Sequence, residues 1–276
     1  MMTPNLSGKK LAAAFGLAAL ILGAAGWPLW GPAVLLPIVA AGLGLSAAGF
    51  ILAKRRYADI LARMEEAARQ SEALANVLAC LPVRAPLPPM GGWAASADFA
   101  RTLINLNLEA KPRTIVELGS GVSTLISAYT LERLGGGRVV SLDHDAVFAC
   151  ETRRTLAIHG LAGFATVHDA PLCEHRIGAN PWRWYDVSAL DGVDAIDLLV
   201  IDGPPETVQP LARYPALPML YSRLADGALI LVDDGIRPDE QECVRRWLAE
   251  FPALRALPMR TDKGAFLLRK GLAAGN

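Results

Sequence analysis

The chain has 276 residues, 27 basic and 27 acidic side chains, and 53% hydrophobic residues. A balanced charge supplies no electrostatic footprint for nucleic acid, and the length suits one core domain with an added segment. The four cysteines, Cys80, Cys150, Cys173 and Cys243, lie far apart without C-x-x-C spacing, so they read as reduced thiols rather than zinc ligands or a disulfide frame.

The apolar excess is concentrated at the start. Lys9-Lys10 precede an uncharged run from Leu11 to Trp27, Trp27-Pro28-Leu29-Trp30-Gly31-Pro32 breaks it, and a second uncharged run from Ala33 to Ala53 ends at Lys54-Arg55-Arg56. A membrane-spanning helix needs roughly 20 apolar residues. Residues 1–56 therefore read as a transmembrane helical hairpin. Tryptophans at the break suit an interface, and basic residues flanking both outer ends put both ends in the cytoplasm of an inner-membrane protein. Two other readings fit the same residues. The first run has the n-region and small residues of a signal peptide, which would leave the second as a stop-transfer segment; or both runs are a buried helical pair.

Tyr57 to Leu81 carries Ile60, Leu61, Met64, Ala67, Leu74, Val77 and Leu78 at helical spacing. Residues 57–90 are expected to be a helical linker, able to pair two copies as a homodimer, with Pro82 to Pro89 ending it. The domain proper is expected over residues 91–276. Ser96-x-Asp98 opens a helix with Phe99, Leu103, Ile104 and Leu106 on its buried side.

The next stretch organises the rest. Thr114-Ile115-Val116 predicts a buried strand. It ends in Glu117-Leu118-Gly119-Ser120-Gly121, and Val122, Leu125, Ile126 and Tyr129 follow at helical spacing, with Ser120 and Ser123 as candidate caps. Gly135-Gly136-Gly137 ends that helix, and a second strand stops at Asp143. A glycine turn after one strand and an acid at the end of the next suit a ligand bearing an adenosine: glycines admit the ligand to the backbone, and the acid accepts from ribose hydroxyls. A dinucleotide fold asks for a third glycine, but Thr124 stands there, and Glu117 would repel a pyrophosphate. S-adenosylmethionine, with a cationic amino group and sulfonium, fits that carboxylate.

Downstream, a helix over 146–159 and a strand ending at Asp169 follow. Asp169 is an acceptor for an adenine amino group. Residues 181–190, PWRWYDVSAL, read as irregular, with Trp182, Trp184 and Tyr185 either core or a wall of the acceptor pocket. A strand over 195–201 ends at Asp202, a helix runs from Tyr214 to Leu224, a strand over 228–232 ends at Asp233-Asp234-Gly235, and a helix over 241–251 leads to a closing hairpin over 257–268. The expected fold class is α/β, with helices on both faces of the sheet and a C-terminal β-hairpin.

The glycine turn, Asp143, His168-Asp169, the segment DLLVIDGPP and the segment LADGALILVDDG resemble class I S-adenosylmethionine-dependent methyltransferases over about Trp93 to Arg269. V-E-L-G-S-G-V-S-T is similar to small bacterial members, which in outline resemble catechol-type O-methyltransferases. The resemblance implies a Rossmann-like sheet and a cofactor set of Glu117, Gly119, Ser120, Gly121, Asp143, His144 and Asp169. It also implies that Trp93, Ser96 and Asp98 lie near the methionine end, although a staple and helix cap explain them equally well.

Acids at carboxyl ends of adjacent strands gather in one place. Asp202, Asp233 and Asp234 would repel one another unless a cation or basic group joined them, and their oxygens suit Mg²⁺ or a similar ion. Catechol-type enzymes place an Asp and then an Asp-Asn pair at such ends, with a lysine three residues after the first Asp. Here Asp234 replaces the Asn and Pro205 the lysine. The alternatives are a metal held by Asp202, Asp233 and Asp234, with Asp202, His144, His168 or a metal-bound hydroxyl in catalysis; Asp202 as general base or substrate-orienting group without metal, with Asp233 and Asp234 capping the loop; or a purely structural role for all three. The expected function is methyl transfer to a hydroxyl of a small-molecule or lipid-linked acceptor, the alternative being an inactive membrane-tethered scaffold.

Overall fold

The computed structural model describes residues 31–271 together with Gly16, Leu17 and Ile21. The chain divides into two units, Met1–Ala68 and Arg69–Asn276. Helix α1 (Pro32–Cys80) is continuous through that division. Its first part, as the hydropathy pattern requires, exposes Leu36, Ile38, Leu43, Leu45 and Phe50. Among the described residues it is the one helix long and apolar enough to cross a membrane, with mean hydropathy 2.0 over an 18-residue window. The expected first span, Leu11 to Trp27, and the break after it lie almost wholly outside the described residues.

The second unit begins inside α1, at Arg69. Ala73 and Val77 are fully buried, so the last turns of the expected linker are part of the domain's core. The Pro-rich stretch after them is also tied down. The Arg84 amide donates to Tyr129 Oη at 2.9 Å, its Nε donates to the His159 carbonyl at 2.8 Å, and its Nη1 pairs with Glu132 at 3.0 Å.

Helix α2 (Ala97–Ala110) is capped by Ser96, whose Oγ accepts from Phe99 N. Then β1 (Thr114–Leu118), α3 (Val122–Leu134), β2 (Arg138–Asp143), α4 (Ala146–Ile158) and β3 (Ala165–Asp169) alternate as predicted. Strands β6 (Ile196–Ile201) and β7 (Leu224–Asp233) complete five parallel strands, and the hairpin β8 (Leu254–Met259) and β9 (Ala265–Lys270) adds an antiparallel edge after α6 (Pro238–Glu250). The order β3-β2-β1-β6-β7-β9-β8 is the doubly wound arrangement expected. Strand side chains alternate between two cores. Ile115, Val139, Leu198 and Val200 pack with α2 and α3, while Val116, Val140, Leu199 and Ile201 pack with Trp184, Trp247 and Leu217 on the other face.

Two expectations are corrected. The stretch read as irregular forms half of a two-stranded hairpin, β4 (Leu172–Ile177) with β5 (Asn180–Tyr185), turning at Gly178, whose φ of 59° a glycine adopts without strain. Its charged, exposed β4 and the proline in β5 hide the period. The helix expected over 214–224 is only α5 (Ala216–Leu220) followed by one 3₁₀ turn, Tyr221–Arg223, because Leu224 already begins β7.

Candidate functional site

Pairing in register sets the acids in a row. Leu118 pairs with Leu142 and with Ile201, Ile201 pairs with Val232, and Asp143 pairs with Asp169. Asp202 and Asp233 therefore follow directly on paired residues.

At the glycine turn, Gly119 has φ of 95°, and a Cβ there would lie 3.1 Å from the Asp202 carbonyl oxygen. Only glycine fits, since the conformation is unfavourable and the space is taken. Period two puts Glu117 on the face of Ile115, beneath the first turn of α3. It is fully buried. Thr124 donates to its Oε2 and accepts from Gly121 N at 3.1 Å, while Oε1 is buried without a hydrogen-bond partner. Burial drives the Glu117 carboxyl up to about 7, against the hydrogen bond from Thr124. Gly121, not Ser120 or Ser123, occupies the cap position of α3.

Ser120 instead serves Asp143. Its amide and hydroxyl donate to Oδ2 at 3.0 and 2.5 Å, and Asp145 N donates to Oδ1 at 3.0 Å. Asp143 is thus locked in one orientation with acceptor capacity left on Oδ1. His144 Nδ1 is 3.7 Å from that oxygen. Asp169 stands at the adjacent strand end but is half exposed and paired with Arg153 at 2.9 Å. Ser96 and Asp98 form a cap pair, Ser96 Oγ donating to Asp98 Oδ1 at 2.6 Å, and Trp93 is exposed.

Tyr185 brings the hairpin into this site. Its ring is fully buried, its hydroxyl has no hydrogen-bond partner, and a Cβ on Gly203 would be 2.2 Å from that hydroxyl. Burial, reinforced by Asp143, Asp202 and Glu117 and opposed by Arg213, holds the phenol well above its ordinary range, so it remains a donor. Trp184 is core, and Trp182 packs 4.8 Å from the ring of Tyr214.

Asp202, Asp233 and Asp234 converge as expected, with ligand-type oxygens within 4.8 Å of one another. Two residues that sequence reasoning missed stand among them. Arg213 Nη2 is 2.6 Å from Asp234 Oδ2 and 3.3 Å from Asp202 Oδ1, Nη1 donates to the Asp233 carbonyl at 2.9 Å, and Nε is 3.5 Å from Glu240. Lys263, from the β8–β9 turn, is 3.1 Å from Asp233 Oδ2 and 3.6 Å from Asp234 Oδ1. Arg237 adds a 3.0 Å pair to Asp234 Oδ2. These contacts hold Asp234 at φ of 60°, a conformation that few non-glycine residues adopt.

Four carboxyl groups, counting Glu240, face the three cations Arg213, Arg237 and Lys263. Asp202 is the group driven up to about 8, by burial first and by Asp233 next, with Arg213 and Lys263 opposing. Burial lowers the Lys263 amine, but Asp233, Asp202 and Asp234 together raise it above its ordinary value, so it stays charged and is no base.

A divalent ion fits this donor set poorly. An ion at the usual ~2.0–2.6 Å from Asp234 Oδ2 would lie within roughly 5 Å of the Arg213 guanidinium. At an effective dielectric of about 20 that repulsion is on the order of 7 kcal/mol, and Arg213, Arg237 and Lys263 already pair with the carboxylates that would attract the ion. The cofactor's side is different. A buried acid with an idle oxygen, a glycine cradle and an oriented second acid fit S-adenosylmethionine.

Residues 116–235 match the family model described as a methyltransferase domain. No curated protein matches the chain. Among solved structures, the S-adenosylhomocysteine-bound methyltransferase PaMTH1 of Podospora anserina is 15% identical, with 78% of this chain and 95% of that chain covered at TM-score 0.52. A putative caffeoyl-CoA O-methyltransferase from Staphylococcus aureus is 13% identical, covering 80% and 100% at TM-score 0.50. The O-methyltransferase TomG of Streptomyces achromogenes, in complex with SAM, is 20% identical, covering 74% and 89% at TM-score 0.49. The second unit has the Rossmann-like fold of the Podospora and Staphylococcus methyltransferases, and residues 116–235 carry the methyltransferase-domain match.

Proposed function

We propose that the chain is an S-adenosylmethionine-dependent O-methyltransferase, acting on a hydroxyl of a small-molecule or lipid-linked acceptor at the cytoplasmic face of the inner membrane. The observation that carries this reading is Glu117: fully buried, beneath a glycine turn, with Oε1 unpartnered. A buried carboxylate without a counter-charge is costly, and the cationic amino group of this cofactor supplies one. When bound, the cofactor supplies an activated methyl group.

The protein's own share is positioning and proton handling. Glu117 and the Gly119–Gly121 turn would hold the methionine end, and Asp143, oriented by Ser120, the ribose hydroxyls, with His144 and Asp169 on the adenosine side. Asp202 would take the acceptor's proton in its ionised form, whose share grows as pH rises toward about 8. Its place beside Gly119 supports this, since the Gly119 turn and the Asp202 carbonyl are in close approach. Tyr185 would donate to the reacting groups from the hairpin side. No separate ion is needed to gather the carboxylates, because Arg213 and Lys263 already do so.

The exposed apolar start of α1 supports a membrane anchor, and the Leu11–Trp27 run supports its being a hairpin with a short outer turn. Exposed Ile60, Leu61 and Met64 support pairing of two copies along the stalk. Turnover of S-adenosylmethionine to S-adenosylhomocysteine by the full chain in a membrane extract, together with calorimetric binding of both, tests the enzyme reading. Asp202→Asn is expected to lower turnover by about 10²–10⁴ with cofactor affinity nearly unchanged. Binding without turnover in any extract would favour the inactive scaffold; absence of binding would overturn both readings.

A further inference from the structure

We infer that Arg213 and Lys263 occupy the place of a divalent cation in the Asp202–Asp233–Asp234 cluster, so that methyl transfer in this chain runs without a metal. The inference rests on the methyltransferase reading and deepens it. Three carboxylates brought within 4.8 Å form an unstable arrangement without positive charge among them. Here that charge is built into the fold. The Arg213 side chain is 4% exposed and spans the cluster, reaching Asp202 and Asp234 with one nitrogen and the Asp233 carbonyl with another. A guanidinium in that position is a fixed, planar donor that an ion cannot share.

Lys263 closes the opposite side. It bridges Asp233 and Asp234, and its amine also donates to the Ala94 carbonyl at 3.4 Å. Asp234, the residue with most contacts to these cations, is held in the left-handed region. Its Oδ2 is held by Arg213 and Arg237, and Oδ1, which has no hydrogen bond, lies 3.6 Å from the Lys263 amine. A metal would have to displace a nine-tenths buried arginine and break pairs on both Asp233 and Asp234. The two basic residues come from separate loops, one before α5 and one at the β8–β9 turn, so the cluster is neutralised from two directions by covalently attached groups.

The test is direct metal binding to the full chain in detergent, read by Mn²⁺ electron paramagnetic resonance. Wild type is expected to bind no Mn²⁺ up to about millimolar concentration. Lys263→Met, checked for folding by circular dichroism, should bind it at least tenfold more tightly than wild type, because one resident cation has gone. S-adenosylmethionine binding, measured by calorimetry with and without excess chelator, is expected to be the same. Wild type binding Mn²⁺ tightly and losing it on Asp233→Asn would overturn the inference, as would failure of Lys263→Met to bind any ion despite an intact circular dichroism spectrum. Loss of cofactor binding in every condition, with Mn²⁺ still absent from wild type, would instead strike the methyltransferase reading and leave the resident cations standing.

Discussion

Thr124 is hydrogen-bonded to Glu117 while accepting from the Gly121 amide at 3.1 Å, so one hydroxyl joins a buried acid to the turn that follows its strand. The residue that replaces a third glycine thereby acquires a task of its own. Glycine at that point would serve close packing; threonine gives up some of that closeness and supplies a donor.

A pH dependence follows. In the free protein Glu117 lies at about 7, raised by burial from an ordinary 4.5. Between roughly those values the unfolded chain has lost the proton and the native one keeps it, so native stability falls as pH rises through the window and levels off above it. The shift corresponds to an order of 3 kcal/mol. A bound cationic amine favours the ionised form, so S-adenosylmethionine affinity should rise by up to about tenfold per pH unit below 7 and flatten above. Calorimetry from pH 5.5 to 8.5 checks this. Glu117→Gln should flatten the profile, and a profile unchanged by that substitution would exclude Glu117 as the amine's partner.

Asp143 makes a second prediction. Its alignment by Ser120 and Asp145 N means that the acceptor is oriented before any ligand arrives. Asp143→Ala should weaken cofactor binding by roughly 1.5–3 kcal/mol, the scale of charged hydrogen bonds. Ser120→Ala, which removes the orienting hydroxyl and keeps the carboxylate, should weaken it less. Equal affinity for wild type and Asp143→Ala would exclude the ribose assignment.

Gly203 and Tyr185 form a steric pair. A methyl at Gly203 would meet the Tyr185 hydroxyl at 2.2 Å, so Gly203→Ala should destabilise the fold by about 1–3 kcal/mol, the usual range for overpacking. Adding Tyr185→Phe removes the clashing oxygen and should restore part of that loss, a non-additivity visible in a denaturant double-mutant cycle. Tyr185→Phe alone, folded and cofactor-binding, should show reduced turnover. Strict additivity would mean that the hydroxyl does not lie over Gly203.

Topology is checked with reporters. Fusion after Tyr57 should be active only with a cytoplasmic-type reporter, and fusion at Trp30 only with a periplasmic-type one. A periplasmic-type signal after Tyr57 would overturn the hairpin.

What was legible in the sequence is the part fixed by local rules. β-branched runs, a glycine turn and period 3.6 give β1, α3 and β2, and Glu117, Asp143, Asp202 and Asp233 sit at strand ends because strands stop there. The balancing charges were not legible. Arg213 lies 21 residues from Asp234 in sequence and Lys263 in a hairpin turn, and no periodicity links either to the acids. The available signal was the repulsion itself, which demands a counter-charge without naming it. The aromatic cluster with Tyr185 was legible as core or pocket wall, but not the hairpin that carries it, because Pro181 and the charged β4 disguise a strand. The end of α1 was read as linker since Val77 gives no sign of its partners until Phe99 and Leu103 fold against it.

The approach of Gly119 to Asp202 has an evolutionary consequence. The Gly119 turn and the Asp202–Gly203 segment, proposed above to serve the methyl donor and the acceptor, meet backbone to backbone. On the proposed reading a substitution at that junction would disturb donor and acceptor sides together, so a change in acceptor preference would arise more readily at the tip of the β4–β5 hairpin around Gly178, away from the end where Tyr185 meets Gly203.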